Sequence, residues 1–319
     1  MPGSPGEDGD SHQRWADLDS SNERLVDASD PMVLDLFRDR TTAAILSAVF
    51  FFGFGMFTAI IYLPRFYQSV RGVSATQSGY EIWPLLVGLI GASMVGGLII
   101  TRTGKYKRMM LGSIVVLIVG AYLMTNLQPD TSSVVIWAWM LLLGVGIGPS
   151  MAGYTTVMQS AVPMSRLGVA TSTLTLLRQI GGSVSLAIAG TIFNAAFTSK
   201  LPERLAANGV PREVANPIVN AASSGSLGAV GSVAGRLGGS ISPALQAIVP
   251  RIVSSLHQAE TAAIAQLFWL TIAAAAAAFL CTLVMREVPL RSGPALRQLQ
   301  AEELTAPKDT EALEQAAAS

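Results

Sequence analysis

Arg178 is the one charged residue inside a long apolar stretch of this chain, and Glu81 is the one carboxylate read as lying beside such a stretch. An arginine at the centre of a membrane helix costs roughly 2.5–3.5 kcal/mol, so it needs a partner or a route to the interface. Two readings stand. If its helix begins near Val169, Arg178 lies roughly 13 Å deep, with Gln179 and Gln159 as candidate hydrogen-bonding neighbours. If the helix begins only at Gln179, Arg178 is an anchor whose head snorkels to the membrane surface. Glu81 falls at the start of a helix, where a negative charge meets the positive end of the helix dipole.

Other chemistry is excluded by residue type. Two histidines, His12 and His257, and one cysteine, Cys281, provide neither a metal-ligand cluster nor a disulfide framework. The histidines are expected on opposite sides of the membrane, so neither completes a nucleophile–base set. No phosphate-binding Gly-x-x-x-x-Gly-Lys-Ser/Thr loop occurs, and Gly235-Arg-Leu-Gly-Gly-Ser has no strand ahead of it. No cofactor and no metal are expected, and the chain does not read as an enzyme. A formal net charge of zero argues against nucleic acid as a partner.

The elements that must hold these residues are six nearly uncharged apolar stretches: Thr42–Leu63, Ile82–Thr101, Met109–Pro129, Val134–Tyr154, Val169–Thr198 and Ala263–Met285. Each is long enough to cross a hydrocarbon core of about 30 Å as a helix, the open form that satisfies its own backbone there. The composition agrees: half of the residues are apolar and 13% are charged, against about 25% charged in soluble domains, and the mean hydropathy is +0.47. The fold class is all-α, a polytopic membrane bundle of six helices divided 3+3 at the polar turn Gln128–Ser133, and the lipid bilayer is its first partner.

Residues 1–40 read as a polar cytoplasmic arm with a short amphipathic piece at Met32–Phe37 and no cleavable signal peptide. Thr42–Leu63 would then be both targeting signal and anchor. Residues 41–198 hold helices one to five, 199–261 a long external loop with helix-like pieces such as Pro243–Leu256, 262–286 helix six, and 287–319 a cytoplasmic tail. Arg102, Lys105, Lys107 and Arg108 crowd the loop after the second stretch, and Arg166 follows the fourth; Arg65 and Arg71 follow the first, and the loop after the third has none. Arg38, Arg40, Arg286 and Arg291 flank the ends of the membrane region. This bias places both termini in the cytoplasm.

Glycines punctuate the apolar stretches. Gly144, Gly146 and Gly148, followed by Pro149, read as a close helix contact or as a hinge, and Gly96, Gly97, Gly181 and Gly182 read first as packing contacts. The run Phe50–Phe57 reads as helix filler before it reads as a binding surface.

One loop is more specific. Gly97-Leu-Ile-Ile-Thr-Arg102-Thr-Gly104-Lys-Tyr-Lys-Arg108 resembles the loop between helices two and three of the major facilitator superfamily, Gly-x-x-x-Asp-Arg-x-Gly-Arg-Arg. Thr101 stands at the aspartate, and Lys105 and Tyr106 at the paired arginines, as in the degraded copy in the second half of such carriers. Asp30–Arg40, Leu63–Gly79 with Pro84, Gly144-Val-Gly-Ile-Gly148 and Leu177-Arg-Gln-Ile-Gly-Gly-Ser183 resemble, in order, the C-terminal half of fourteen-span drug:proton antiporters.

That resemblance covers roughly Asp30–Arg291. It implies a plasma-membrane carrier that exports amphipathic, often cationic compounds in exchange for protons, with Arg178, Gln179, Gln159 and Glu81 as candidates for substrate or coupling roles. It further implies that Gly97, Arg102, Gly104, Lys105 and Arg108 form a conformational loop. The first bundle, which holds the membrane carboxylates of such carriers, has no match here. A separate N-terminal half or a second copy would supply the missing wall; the alternatives are an inactive truncated carrier and a non-transporting scaffold.

Overall fold

The computed structural model describes residues 40–162, 166–223 and 248–285. Met32–Phe37, the motif at Gly235, the first residues of Pro243–Leu256 and the tail lie outside the described residues, as does the Asp30–Asp39 part of the first family-like segment. The described residues form eight helices and no strand: α1 Arg40–Ser69, α2 Ala75–Glu81, α3 Trp83–Thr103, α4 Tyr106–Met124, α5 Ser133–Ala161, α6 Leu167–Ala207, α7 Arg212–Ser223 and α8 Val249–Val284. Six spans are long and apolar enough to cross a membrane, α2 and α3 together making one of them. Pro84 falls in the first turn of α3, where its missing N–H leaves nothing unpaired.

α6 and α8 outrun their apolar stretches furthest. α6 continues to Ala207, and α8 begins at Val249 rather than Ala263. Hydropathy falls at Lys200–Arg204 and His257–Glu260, yet both helices run through these segments, α6 even across Pro202, so local propensity is overridden there by packing. At 41 residues, α6 is about 62 Å long, twice a hydrocarbon core, and one end must stand outside it. There it meets α7 and the first turns of α8 around buried Leu201, Leu205, Val210, Ile218, Ala222, Ile252 and Ala259. Asn208 donates to Ser255 Oγ at 2.7 Å, and the Ser255 hydroxyl donates to the carbonyl of Arg204 at 3.2 Å. Gly209, at φ +71°, ends α6 in the left-handed conformation that favours glycine. Where it is described, the stretch 199–261 is therefore largely helical.

The six spans form two interleaved triplets, α1–α3–α4 and α5–α6–α8. α5 of the second triplet packs on α3 and α4 of the first, and α1 of the first packs on α6 and α8 of the second. Glycine makes the equivalent crossing possible in both halves. A Cβ on Gly144 would meet the carbonyl of Leu85 and, at 2.7 Å, the nitrogen of Leu89; one on Gly88 would meet Gly144 itself at 3.3 Å. In the other half, a Cβ on Gly53 would lie 2.5 Å from the carbonyl of Arg178 and 3.0 Å from the nitrogen of Gly182. The faces follow from spacing. Gly144 and Gly148 share one side of α5 and approach α3; Gly146 and Gly153, about 180° away, approach Leu117 and Met110 of α4. Small residues let α5 be sandwiched at backbone distance, where dispersion and polar contacts hold membrane helices together.

Short hydroxyl contacts pin these crossings. Thr58 and Ser185 join α1 to α6 at 3.0 Å, Ser113 and Ser150 join α4 to α5 at 2.6 Å, and Tyr154 and Thr282 join α5 to α8 at 2.8 Å. All six residues are buried, so each hydroxyl replaces water with a neighbouring helix.

Candidate functional site

The exposed face of α6 differs in chemistry from the exposed face of α3. At about 100° per residue, Ser172, Gln179, Ser183 and Asn194 fall within an arc of about 60°, and all four are exposed; Leu176, also exposed, lies in the same arc. Ile180, Val184 and Ile188 form the adjoining apolar edge of the same face. α3 occupies the equivalent place in the other triplet, yet its exposed side is apolar: Leu86, Val87, Ile90, Met94, Val95, Leu98 and Ile99, with Met94 at 71% exposure. Lipid suits the face of α3. It suits the amide-bearing edge of α6 poorly, because polar groups at membrane depth face protein or water-filled cavities.

Arg178 sits behind this edge, in register with the packed residues Leu174, Gly182, Ser185 and Ala189, and is half-buried. Eleven residues of helix, about 17 Å, separate it from Leu167. Among the described residues, no hydrogen bond or ion pair joins it to Gln179 or Gln159. Gln179 points to the exposed side, and Gln159 lies exposed in the last turn of α5. The structure therefore separates these three residues. Gly181 and Gly182 lie directly against α1, since a Cβ on either would meet the carbonyl of Phe50 or the ring of Phe57.

Glu81 is the last residue of α2, just ahead of α3, and its carboxylate accepts a hydrogen bond from Trp137 Nε1 of α5 at 2.9 Å. It is not the lone carboxylate at a span. Glu260 lies inside α8, almost wholly buried, and pairs with Arg65 of α1 at 3.3 Å, while the Arg65 guanidinium stacks on Phe193 of α6 at 4.6 Å. The sequence reading missed this clamp of three helices because it started the last span at Ala263. Extending the helix back by one turn would have placed Glu260 at a helix end facing the group that follows the first stretch.

In the loop between α3 and α4, Gly104 adopts φ +66° and caps α3 through its N–H to the carbonyl of Ile100 at 2.9 Å. Gly97 faces open space; it is its neighbour Gly96 that packs closely, since a Cβ there would lie 2.9 Å from Pro149 Cβ. Arg102, Lys105 and Arg108 are exposed. Lys107 donates to the carbonyls of Leu283 and Met285 at 2.9 and 2.6 Å, a cation closing the end of α8.

Known proteins are similar in sequence to part of this chain. It is 33% identical over 179 residues to the multidrug transporter protein MdtP of Bacillus subtilis, covering 56% of this chain and 33% of that protein. It is 34% identical over 190 residues to a tetracycline resistance determinant of Streptomyces rimosus, covering 58% and 54%. Multidrug resistance protein 3 of Bacillus subtilis is 30% identical over 166 residues, covering 52% and 32%. The matched part thus spans between about a third and a half of the length of these relatives. The sequence profile of the Major Facilitator Superfamily matches residues 5–186, more than half of the 319. With six membrane-length helices in interleaved triplets and that match, the chain belongs to the major facilitator superfamily, a family of transporters rather than enzymes.

Proposed function

We propose that this chain is the six-helix C-terminal half of a drug:proton antiporter of the fourteen-span type, exporting amphipathic, often cationic compounds across the plasma membrane. The observation that carries this reading is the polar edge of α6, Ser172, Gln179, Ser183 and Asn194, exposed on a helix within an apolar bundle. Beside it, Ile180, Val184 and Ile188 offer an apolar surface, so one wall presents both halves of an amphipathic substrate's chemistry. The names of the relatives support drug efflux. The Lys/Arg distribution supports cytoplasmic termini.

A single bundle has one wall, and a rocking carrier needs two. A separate N-terminal bundle supplies the second, and it also supplies a carboxylate for proton coupling. Glu260 does not take that role in this reading, being held by Arg65 within α8, and a second copy of the chain would add only the same paired group.

The test is export of a fluorescent cationic dye from cells expressing the chain alone or with the eight-helix half of a relative. Protonophore-sensitive export is expected only in the pair; such export by the chain alone would refute the half-carrier reading. In the active pair, Arg178→Ala is expected to slow export about tenfold, the scale of one lost charge-assisted interaction. Arg178→Lys is expected to fall between it and the parent. Parental rates in both variants, at equal expression, would assign Arg178 to anchoring alone.

A further inference from the structure

A cavity of about 510 Å³ lies where the α4–α5 turn, the end of α6 and the start of α8 meet. Leu127, Pro129 and Ala262 form its apolar lining; its polar side includes Gln128, Asp130, Arg204, His257 and Gln258. The charges are arranged in an informative way. Arg204 and Asp130 face one cavity, yet the described residues hold no ion pair between them. The Arg204 Nε is buried with no hydrogen-bond partner. No partner within the described residues is found for the Asp130 carboxylate or the His257 ring either. Buried donors are normally paired, and opposite charges in one cavity normally close on each other. Here both line one cavity with no ion pair between them, Asp130 exposed to solvent and the Arg204 Nε buried.

The geometry points to a binding site for a small zwitterion: an anionic phosphate or carboxylate held by Arg204, with its ammonium held by Asp130. Arg204 presents the fork of donors that suits an oxyanion, His257 and Gln258 add donors on the same side, and Asp130 accepts from the ammonium. The cavity straddles the level at which apolar chain gives way to polar chain, at Pro129 in one wall and Ala262–Ala263 in the other. Zwitterionic lipid headgroups occupy that level, and dissolved zwitterions reach it from the water. This site lies apart from the polar edge of α6 and does not depend on drug transport.

Calorimetric titration of the detergent-solubilised full chain tests it with three probes: dihexanoyl phosphatidylethanolamine, dihexanoyl phosphatidylglycerol and free O-phosphoethanolamine. The ethanolamine lipid is expected to bind about tenfold tighter than the glycerol lipid, which lacks the ammonium. Asp130→Asn and Arg204→Gln are each expected to weaken binding about tenfold, while Glu203→Gln, outside the cavity lining, leaves it unchanged. Free phosphoethanolamine that competes equally would identify a dissolved ligand; binding of the lipid alone would identify a headgroup. Either result supports the site. Equal binding of the two lipids, absence of binding by both zwitterions, or unchanged binding in a folded Asp130→Asn protein would overturn it. Asp130 lies on an exposed turn, so its variant decides the question even if Arg204→Gln fails to fold.

Discussion

Alanine at Gly144 is expected to destabilise the bundle by about 3 kcal/mol, at the upper end of the overpacking range. The new methyl group would enter the carbonyl of Leu85 and come within 2.7 Å of the nitrogen of Leu89, both backbone atoms of α3. Side chains can rotate away from an intruder; a helix backbone must move as a body, and α5 cannot retreat because Gly146 already holds it against Leu117 of α4. The neighbouring pair Gly96 and Gly97 supplies the control. Gly96→Ala would press on Pro149, while Gly97→Ala meets nothing within 4 Å. The latter is expected to be neutral or to stabilise by about 0.5–1 kcal/mol through helix propensity. Melting midpoints in one detergent check all three, and equal midpoints for Gly144→Ala and Gly97→Ala would contradict the sandwich.

Removing Glu260 should be the next largest effect. Breaking a buried ion pair from one side costs roughly 3–5 kcal/mol because it leaves a charge uncompensated. Arg65 is 38% exposed and Glu260 11%, so water relieves part of this, and about 2 kcal/mol is expected for Glu260→Ala. Replacing both with alanine should recover part of the loss, since Arg65 no longer lacks its partner. A double-mutant cycle on melting free energies measures the coupling. Purely additive effects would reduce Arg65–Glu260 to a proximity without energetic content.

The six spans were legible because hydropathy records what lipid demands of a helix. The ends of α6 and α8 were not, because both helices run on through Lys200–Arg204, Pro202 included, and His257–Glu260, where hydropathy is low. The same cause hid the Glu260–Arg65 clamp. Glycine spacing marked α5 as a packing element, but choosing between Gly96 and Gly97 needed the position of Pro149. The polar edge of α6 was present in the spacing of Ser172, Gln179, Ser183 and Asn194. Attention to the one arginine obscured it, and only the exposed face shows that these residues point together while Arg178 points elsewhere.

The central claim is that this edge of α6 lines an aqueous path while the equally exposed face of α3 does not. Single cysteines at Gln179, Ser183 and Asn194, and at Ile90, Met94 and Leu98, in a Cys281→Ser background, would be challenged with a charged, membrane-impermeant thiol reagent. Both sets are exposed and they differ in chemistry. Reaction at the α6 positions and protection at the α3 positions is the predicted result. Equal protection of both sets would place α6 against lipid and remove the basis for a substrate-facing wall.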